Sequence, residues 1–162
     1  LYVGISNYNS QQTKEIMGIF KELKTPFIVN QPSYSMLNRW IEEDGLKDYA
    51  YENGLGLAVF SPLAQGLLTD KYLKTNTGSS NRPWMKSQPD ENTLKKLKKL
   101  NEIAANRGQK LSQMALSWVL RDDKITTVLI GASRPEQITE NLQAVFKTDF
   151  SQEELMAIED TL

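Results

Sequence analysis

Short apolar runs alternate along this chain with longer stretches in which apolar residues recur every three or four positions. The short runs are rich in β-branched or aromatic residues and are bounded by turn residues, which is typical of buried parallel strands. This pattern predicts strands at residues 1–5, 27–29, 55–60 and 127–130.

The longer stretches have the spacing of amphipathic helices. They lie at residues 10–24, 37–53, 91–106, 112–121, 133–145 and 151–162. Ser10 and Ser112 are the expected N-caps of two of these helices, and Gly45 is expected to interrupt the second one. The sequences "SRPE" (133–136) and "SQEE" (151–154) have capping-box spacing and predict the last two helix starts.

The resulting order is a strand followed by a helix, repeated along the chain, with extra helices around the fourth strand. Such an order predicts an α/β fold with a parallel sheet. The length of 162 residues suits one domain with a substantial core. Because no linker or low-complexity segment divides residues 1–162, the sequence predicts a single domain.

Composition removes several classes of chemistry. Lys plus Arg total 19 and Asp plus Glu total 20, so no nucleic-acid surface is indicated. Because cysteine and histidine are both absent, this chain contains no disulfide, no thiolate or histidine metal site and no Ser-His-Asp triad. No apolar run approaches the ~18 residues that span a bilayer, so no membrane partner is expected. A cytoplasmic location is expected, since the absence of disulfides fits a reducing compartment.

Hydrogen-bonding or aromatic side chains follow each predicted strand where it ends. They are Ser6 and Asn7, Asn30 and Gln31, Phe60 and Ser61, and residues 131–134. In parallel α/β folds, ligands bind at the carboxyl ends of the strands. Ser, Asn and Gly are also common turn residues, and for a single strand that explanation suffices. Four such strand ends in series favour a ligand site.

The segment after the fourth strand has the features of a phosphate site. Gly131 leaves the strand, Ser133 is expected to cap a helix, and Arg134 lies in its first turn. Free backbone N–H groups at a helix start attract phosphate, and an arginine adds further donors. Ordinary capping with a solvated Arg134 is the alternative. Neither GxGxxG nor GxxxxGK[ST] occurs, so no Rossmann or P-loop phosphate cradle is supported.

Four stretches of the chain match the motifs of a known family. They read "GISNY" (4–8), "NQPSYSMLNR" (30–39), "FSPLAQGLLTDKY" (60–72) and "IGASRPEQITEN" (130–141). Together they resemble the aldo-keto reductases, especially the bacterial glyceraldehyde-3-phosphate reductase-like and potassium-channel β-subunit branches. The resemblance implies a TIM-type (β/α)8 barrel, with residues 1–162 as its carboxyl-terminal half, strands five to eight with their helices. It also implies NADP(H) bound without a Rossmann domain, and reduction of aldehydes or ketones to alcohols by hydride transfer.

The same resemblance assigns cofactor-binding roles by position. For the nicotinamide carboxamide it implies Ser6, Asn7 and Gln31, and for stacking on the nicotinamide ring it implies Phe60. For the pyrophosphate it implies Ser61, Pro62, Leu63, Gln65, Gly66, Lys71 and Arg82. For the adenosine end with its 2′-phosphate it implies Gly131, Ser133, Arg134 and Gln137, and for the adenine it implies Glu140 and Asn141.

The chain departs from the family in one large respect. The family's catalytic Asp, Tyr, Lys and His lie on the first four strands, so no catalytic residue is expected here. Tyr34 does not match the position of the catalytic tyrosine, and the carboxylates of residues 42–44 are expected to form a solvated helix face. We therefore expect the chain to be inactive alone and to need the amino-terminal half of the barrel or self-association. The small-molecule carbonyl substrate is not specified by these residues.

Two alternatives to a reductase stay open. Some members of the family are cofactor-binding regulatory subunits of channels, in which catalysis is slow or incidental. A truncated pseudo-reductase without activity is the other alternative.

Overall fold

The computed structural model of the protein describes residues 1–73 and 89–162. The chain divides into two compact units. The first, here called the sheet unit, comprises Leu1–Pro62 and Asp122–Gly131. The second, the helical unit, comprises Leu63–Arg121 and Ala132–Leu162. The predicted binding residue Arg82 lies outside the described residues.

The sheet unit contains a four-stranded parallel sheet in the order β1-β2-β3-β4. The strands are β1 (Val3–Ser6), β2 (Phe27–Gln31), β3 (Gly56–Val59) and β4 (Thr127–Val128). The predicted parallel sheet is therefore confirmed. β4 is shorter than predicted because only its first two residues pair with β3, although Leu129 N–H still donates to Val59 O over 2.8 Å.

The register divides the side chains between two faces of the sheet. Ile5, Asn30 and Leu57 are paired neighbours on the face that carries α1 (Ser10–Glu22), and Leu57 is fully buried there. Gly4, Val29 and Gly56 are paired neighbours on the opposite face, which stays partly exposed. At Gly4 a Cβ atom would lie only 2.6 Å from Val29 Cγ1, so a larger residue would have to displace the Val29 side chain.

Two further helices complete the sheet unit, α2 (Trp40–Glu43) and α3 (Leu46–Glu52). Gly45 separates them with a φ of 79°, which confirms the predicted interruption. The first of them begins at Trp40 rather than at residue 37. Ser35 and Asn38 exchange two backbone hydrogen bonds of 3.1 Å in a tight turn, and this turn cannot coexist with a helix.

The predicted N-cap of α1 was wrong by one residue. Asn9, not Ser10, caps the helix, because its Oδ1 accepts from Gln12 N–H over 2.8 Å. The Gln12 side chain returns the bond by accepting from Asn9 N–H over 3.1 Å. Ser10 N–H instead donates to the Asp44 carboxylate over 2.6 Å.

The helical unit contains α4 (Glu91–Asn106), α5 (Leu111–Val119), α6 (Pro135–Leu142) and α7 (Gln152–Glu159). Both predicted bounds of α4 are confirmed, as is the Ser151–Glu154 capping box of α7. The predicted cap Ser112 was wrong, because α5 already begins at Leu111. Its first turn is closed by the Gln113 side chain, which accepts from Lys110 N–H over 2.8 Å.

Arg107 anchors the carboxyl-terminal segment of the helical unit. Its side chain is 1% exposed and forms an ion pair with Glu154. It also donates to the carbonyl oxygens of Lys147 at 3.2 Å and Asp149 at 2.9 Å. The guanidinium carbon lies 3.6 Å from the centre of the Phe150 ring. One buried charge thus satisfies a carboxylate and two backbone acceptors.

We predict that Arg107→Ala lowers the free energy of unfolding by about 3 kcal/mol, because it removes the cation paired with Glu154 and the donor to the carbonyl groups of Lys147 and Asp149. Chemical denaturation monitored by circular dichroism measures this change. Lys98→Ala, on the exposed face of α4, is the matched control and should change stability by less than about 0.5 kcal/mol. Equal effects of the two substitutions contradict the assignment of Arg107 as the anchor.

Candidate functional site

The carboxyl end of β1 presents two polar side chains with fixed hydrogen bonds. Ser6 Oγ donates to the Gln31 carbonyl oxygen over 2.9 Å, and Asn7 N–H donates to the same oxygen over 3.2 Å. Asn7 Oδ1 accepts from Ser33 N–H over 3.1 Å. Ser6 and Asn7 are both exposed, so their remaining hydrogen-bonding capacity faces solvent.

Asparagine suits this position because the backbone of Asn7 is left-handed, with a φ of 57°. Few residues with a side chain adopt this conformation, and asparagine is among the best tolerated. The two side-chain hydrogen bonds also fix which groups of Ser6 and Asn7 face outward, donors or acceptors. The Ser6 hydroxyl donates inward, so its lone pairs face outward as acceptors. The Asn7 oxygen accepts inward, so its amide N–H groups face outward as donors.

Phe60 joins the same edge of the sheet unit. Its N–H donates to Pro32 O over 3.0 Å, and its carbonyl accepts from Tyr34 N–H over 3.1 Å. The residue is half-buried. Sheet pairing thus brings Ser6, Asn7, Gln31 and Phe60, all predicted site residues, to the ends of three neighbouring strands. Ser61 and Pro62 follow directly, and Ser61 has a left-handed φ of 56°.

In the helical unit, the predicted pyrophosphate residues begin with a strained turn. Ala64, Gln65 and Gly66 are all left-handed, with φ of 47°, 58° and 93°. Left-handed residues with a Cβ cost roughly 1–3 kcal/mol each, and such strain is concentrated at functional sites. Leu63 O accepts from Gly66 N–H over 2.9 Å, and this bond closes the turn.

Lys71 is exposed and follows this turn by five residues in the sequence. Its Nζ lies 5.2 Å from the centre of the Tyr72 ring. Tyr72 is itself buried, so the ring is held in place beneath the ammonium group.

The start of α6 differs from its predicted form. Arg134 is the N-cap and Pro135 is the first helical residue, so the predicted box between Ser133 and Glu136 was wrong by one position. Proline favours this first position because its ring has the helical φ and no N–H to satisfy. Gln137 Oε1 instead accepts from Ser133 N–H at 2.8 Å, Ser133 Oγ at 3.2 Å and Arg134 N–H at 3.3 Å.

The remaining predicted residues differ in exposure. Glu140 pairs with Lys110 over 2.6 Å, and this hydrogen bond raises the pKa of Lys110. Asn141 is buried within the helical unit. Gly131 is exposed in the sheet unit. Of the predicted adenosine-end residues, Ser133, Arg134 and Gln137 are thus directly connected to one another.

A buried charge network around Lys47 was missed by the sequence analysis. Lys47 is 5% exposed and pairs with Asp122 at 2.7 Å and Glu42 at 3.3 Å. Glu42 also pairs with Arg39 at 2.7 Å and accepts from the Tyr34 hydroxyl. The expectation that residues 42–44 form a solvated face was therefore wrong for Glu42. No local pattern indicated this network, because Asp122 is remote in sequence.

Tyr34 is fully buried in this network, so its hydroxyl does not face a substrate. Among the described residues, no group of acidic side chains is arranged to hold a metal ion. In the same parts of the chain, no helix combines the length and apolar character needed to cross a membrane.

Comparison with known proteins gives consistent results. The family model described as the aldo/keto reductase family matches residues 1–162. L-glyceraldehyde 3-phosphate reductase of Escherichia coli K12 is 46% identical over 98% of this chain and 48% of that protein. A probable voltage-gated potassium channel subunit beta of Oryza sativa subsp. japonica is 33% identical over 89% of this chain and 46% of that protein. The chain thus spans about half the length of the curated relatives it matches.

Solved structures match the fold. Glycerol dehydrogenase from Gluconobacter oxydans aligns with a TM-score of 0.76 at 28% identity, over 98% of this chain and 48% of the other. A thermostable aldo-keto reductase in complex with the inhibitor epalrestat aligns with a TM-score of 0.73 at 25% identity, over 99% and 48%. The predicted fold class, part of a (β/α)8 barrel, is therefore confirmed.

We predict that Lys47→Met lowers the free energy of unfolding by about 2 kcal/mol or more, because it removes the buried cation that pairs with Asp122 and leaves Glu42 paired with Arg39 but no longer with Lys47. Denaturant titration is the measurement. Lys124→Met is a matched control. Like Lys47, Lys124 pairs with an aspartate, but its partner Asp48 lies at 2.6 Å on the surface. The control substitution should lower stability clearly less than Lys47→Met does, because solvent screens an exposed ion pair.

Comparing the two lysine variants tests whether the burial of Lys47 causes the loss of stability. If Lys124→Met destabilises as much as Lys47→Met, burial of the Lys47 network is not what matters. The hydrogen bond that Lys124 donates to the Asp48 carboxylate raises the pKa of Lys124. Any contribution of this surface pair is therefore complete below the ordinary lysine pKa and is lost as the pH rises through the raised value.

Proposed function

Because this chain belongs to the aldo/keto reductase family, we propose that it is the cofactor-binding part of an NADP(H)-dependent oxidoreductase that reduces aldehydes or ketones to alcohols. When bound, the cofactor supplies the hydride for this reduction. The share of this chain is to hold and orient the cofactor. The residues that donate the proton to the substrate are assigned to the part of the relatives that this chain does not span.

The polarity of Ser6 and Asn7 is the observation that carries the proposal. A primary carboxamide has one strong acceptor oxygen and N–H groups that donate. The outward N–H of Asn7 suits that oxygen, and the outward lone pairs of Ser6 suit those N–H groups. A nicotinamide carboxamide therefore fits the donor set at the end of β1. Gln31, next to them, adds a further amide side chain.

Phe60 provides an aromatic face at the same edge. An aromatic ring can stack on the nicotinamide ring and so fix which of its faces receives a substrate. The backbone of Phe60 is bonded to Pro32 and Tyr34, and this pairing restricts where the ring can lie. Orientation of this kind is the usual protein contribution in a cofactor enzyme.

The start of α6 is suited to a phosphate, and Arg134 adds a fixed positive charge. The Gln137 side chain gathers the N–H groups of Ser133 and Arg134 around one acceptor oxygen. A phosphate oxygen is an acceptor of the same geometry and carries more charge. We therefore assign the 2′-phosphate to Ser133 and Arg134, with Gln137 moving aside. The pyrophosphate is assigned to Ser61, Pro62, Leu63, Gln65, Gly66 and Lys71.

The open sheet supports a requirement for a second half. Within the described residues, β1 pairs only with β2, and β4 pairs only with β3. The face that carries Gly4, Val29 and Gly56 is partly exposed. Unpaired strands and exposed apolar residues favour association. We propose an amino-terminal half of the barrel as the partner, with self-association as the alternative.

A cofactor-binding regulatory subunit is the second candidate function. The observation that favours it is the relative from Oryza sativa, whose name is that of a channel subunit. In that case the chain binds the cofactor as described but turnover is slow or absent. An inactive truncated reductase is distinguished by the absence of both binding and turnover.

We predict that affinities for three ligands distinguish the residues assigned to the nicotinamide from those assigned to the 2′-phosphate. The ligands are NADPH, NADH and adenosine 2′,5′-bisphosphate, which lacks the nicotinamide. Asn7→Gly retains the left-handed backbone and should weaken NADPH binding by about fivefold but leave the bisphosphate unchanged. Arg134→Ala should weaken NADPH and the bisphosphate by about tenfold and leave NADH unchanged.

Fluorescence titration of the reduced cofactor and calorimetry of the bisphosphate measure these affinities. Lys14→Ala, an exposed cation on α1, is the control for a general charge effect. A chain that binds none of the three ligands contradicts the proposal. So does an Arg134 variant that weakens NADH as strongly as NADPH.

A further prediction concerns catalytic turnover. Co-expression of this chain with the unmatched half of the Escherichia coli L-glyceraldehyde 3-phosphate reductase should give NADPH-dependent reduction of L-glyceraldehyde 3-phosphate. Neither half alone should do so. Cofactor binding without turnover in the co-expressed pair favours the regulatory subunit instead.

A further inference from the structure

The turn between β2 and α2 returns the chain so that Trp40 contacts Ser33. Ser35 and Asn38 close this turn with their two backbone hydrogen bonds. Trp40 Nε1–H then donates to the Ser33 carbonyl oxygen over 2.8 Å and approaches Ser33 Oγ at 3.3 Å. Asn38 Nδ2 donates to the same hydroxyl over 3.1 Å.

The backbone carbonyl and N–H groups of Ser33 are therefore both hydrogen-bonded. Its carbonyl accepts from Trp40, and its N–H donates to Asn7 Oδ1 over 3.1 Å. The residues on either side of it, Pro32 and Tyr34, are bonded to Phe60. Ser33 thus connects Asn7 and Phe60, the groups assigned to the carboxamide and to the nicotinamide ring. A rotation of Ser33 changes the hydrogen bond that Asn7 receives.

The orientation of an asparagine amide depends on such a partner. A half-turn about the terminal bond exchanges oxygen and nitrogen at almost no steric cost. Because Ser33 N–H is a donor, it selects the orientation in which Oδ1 faces inward and Nδ2 faces outward. The outward group is then always a donor, as a carboxamide oxygen requires.

We propose that Trp40 is a positioning residue for Asn7 and acts through Ser33. The indole N–H holds the carbonyl of the Ser33–Tyr34 peptide and so limits rotation of Ser33, and the Ser33 N–H fixes the Asn7 amide in its donor-outward orientation. This inference rests on the proposed function, because it takes a carboxamide as the group that Asn7 binds. Trp40 supplies no atom to that carboxamide in this account. Its effect is on the orientation of the residue that does.

A double-mutant cycle tests the inference. Trp40→Phe keeps an aromatic ring and removes the N–H donor. In the wild-type background it should weaken NADPH binding by roughly threefold to fivefold, which is within the range expected for one hydrogen bond and no more than the loss from Asn7→Gly. In the Asn7→Gly background it should change NADPH binding by less than about twofold, because the residue it orients is gone.

Two controls separate positioning from general loss of structure. Adenosine 2′,5′-bisphosphate lacks the nicotinamide, so its affinity should be the same in the wild type and in Trp40→Phe. Tyr51→Phe, on the exposed face of α3, removes an aromatic polar hydrogen elsewhere in the sheet unit and should leave NADPH binding unchanged.

A second replacement keeps the test decisive if Trp40→Phe does not fold. The benzothiophene analogue of tryptophan at position 40 exchanges only the ring N–H for sulfur and keeps the ring size. It should give the same loss of NADPH affinity.

The outcomes are distinguishable. If the wild type binds NADPH and either Trp40 replacement leaves that affinity unchanged, the inference is wrong and the proposed function stands. Losses from Trp40→Phe and Asn7→Gly that simply add also overturn the inference, because they show independent effects. A wild type that does not bind NADPH overturns the proposed function and the inference together.

Discussion

Parallel pairing of β1, β2 and β3 is the constraint on which the candidate site depends. It aligns Ile5, Asn30 and Leu57 in one row, so that the three strands end at one edge of the sheet. The last carbonyl of β2, that of Gln31, then accepts from both Ser6 and Asn7. A register shift of one residue would turn each of these side chains to the opposite face.

Hydrogen bonds within each unit prepare the polar groups that are assigned to the cofactor, but in opposite ways. At the end of β1, internal partners use one side of Ser6 and of Asn7 and leave complementary groups facing outward. At the start of α6, Gln137 occupies the very donors that a phosphate needs. The first arrangement orients a ligand, whereas the second must be displaced by one.

Each unit also contains a buried cation that joins segments distant in sequence. Lys47 connects the α2–α3 region with Asp122, and Arg107 connects the end of α4 with the segment before α7. Charges in the interior are tolerated only with carboxylate and carbonyl partners. In this chain, which has almost equal numbers of acidic and basic residues, these paired charges stabilise the two units, while Ser6 and Asn7 at the end of β1 remain exposed.

The sequence by itself determined the elements, the parallel sheet and the polar strand ends, because periodicity and turn residues are local properties. It also determined the bounds of α4 and the interruption at Gly45. Only the tertiary structure decided the partners of Glu42 and Ser33. Glu42 has the spacing of a surface residue, yet packing brings Lys47 and Tyr34 against it. Helix α1 is capped by Asn9 rather than Ser10, and α6 begins after Arg134 because Pro135 favours the first helical position. The amide orientation of Asn7 depends on Ser33 and Trp40, which lie beyond any local pattern and meet it only after the strands pair.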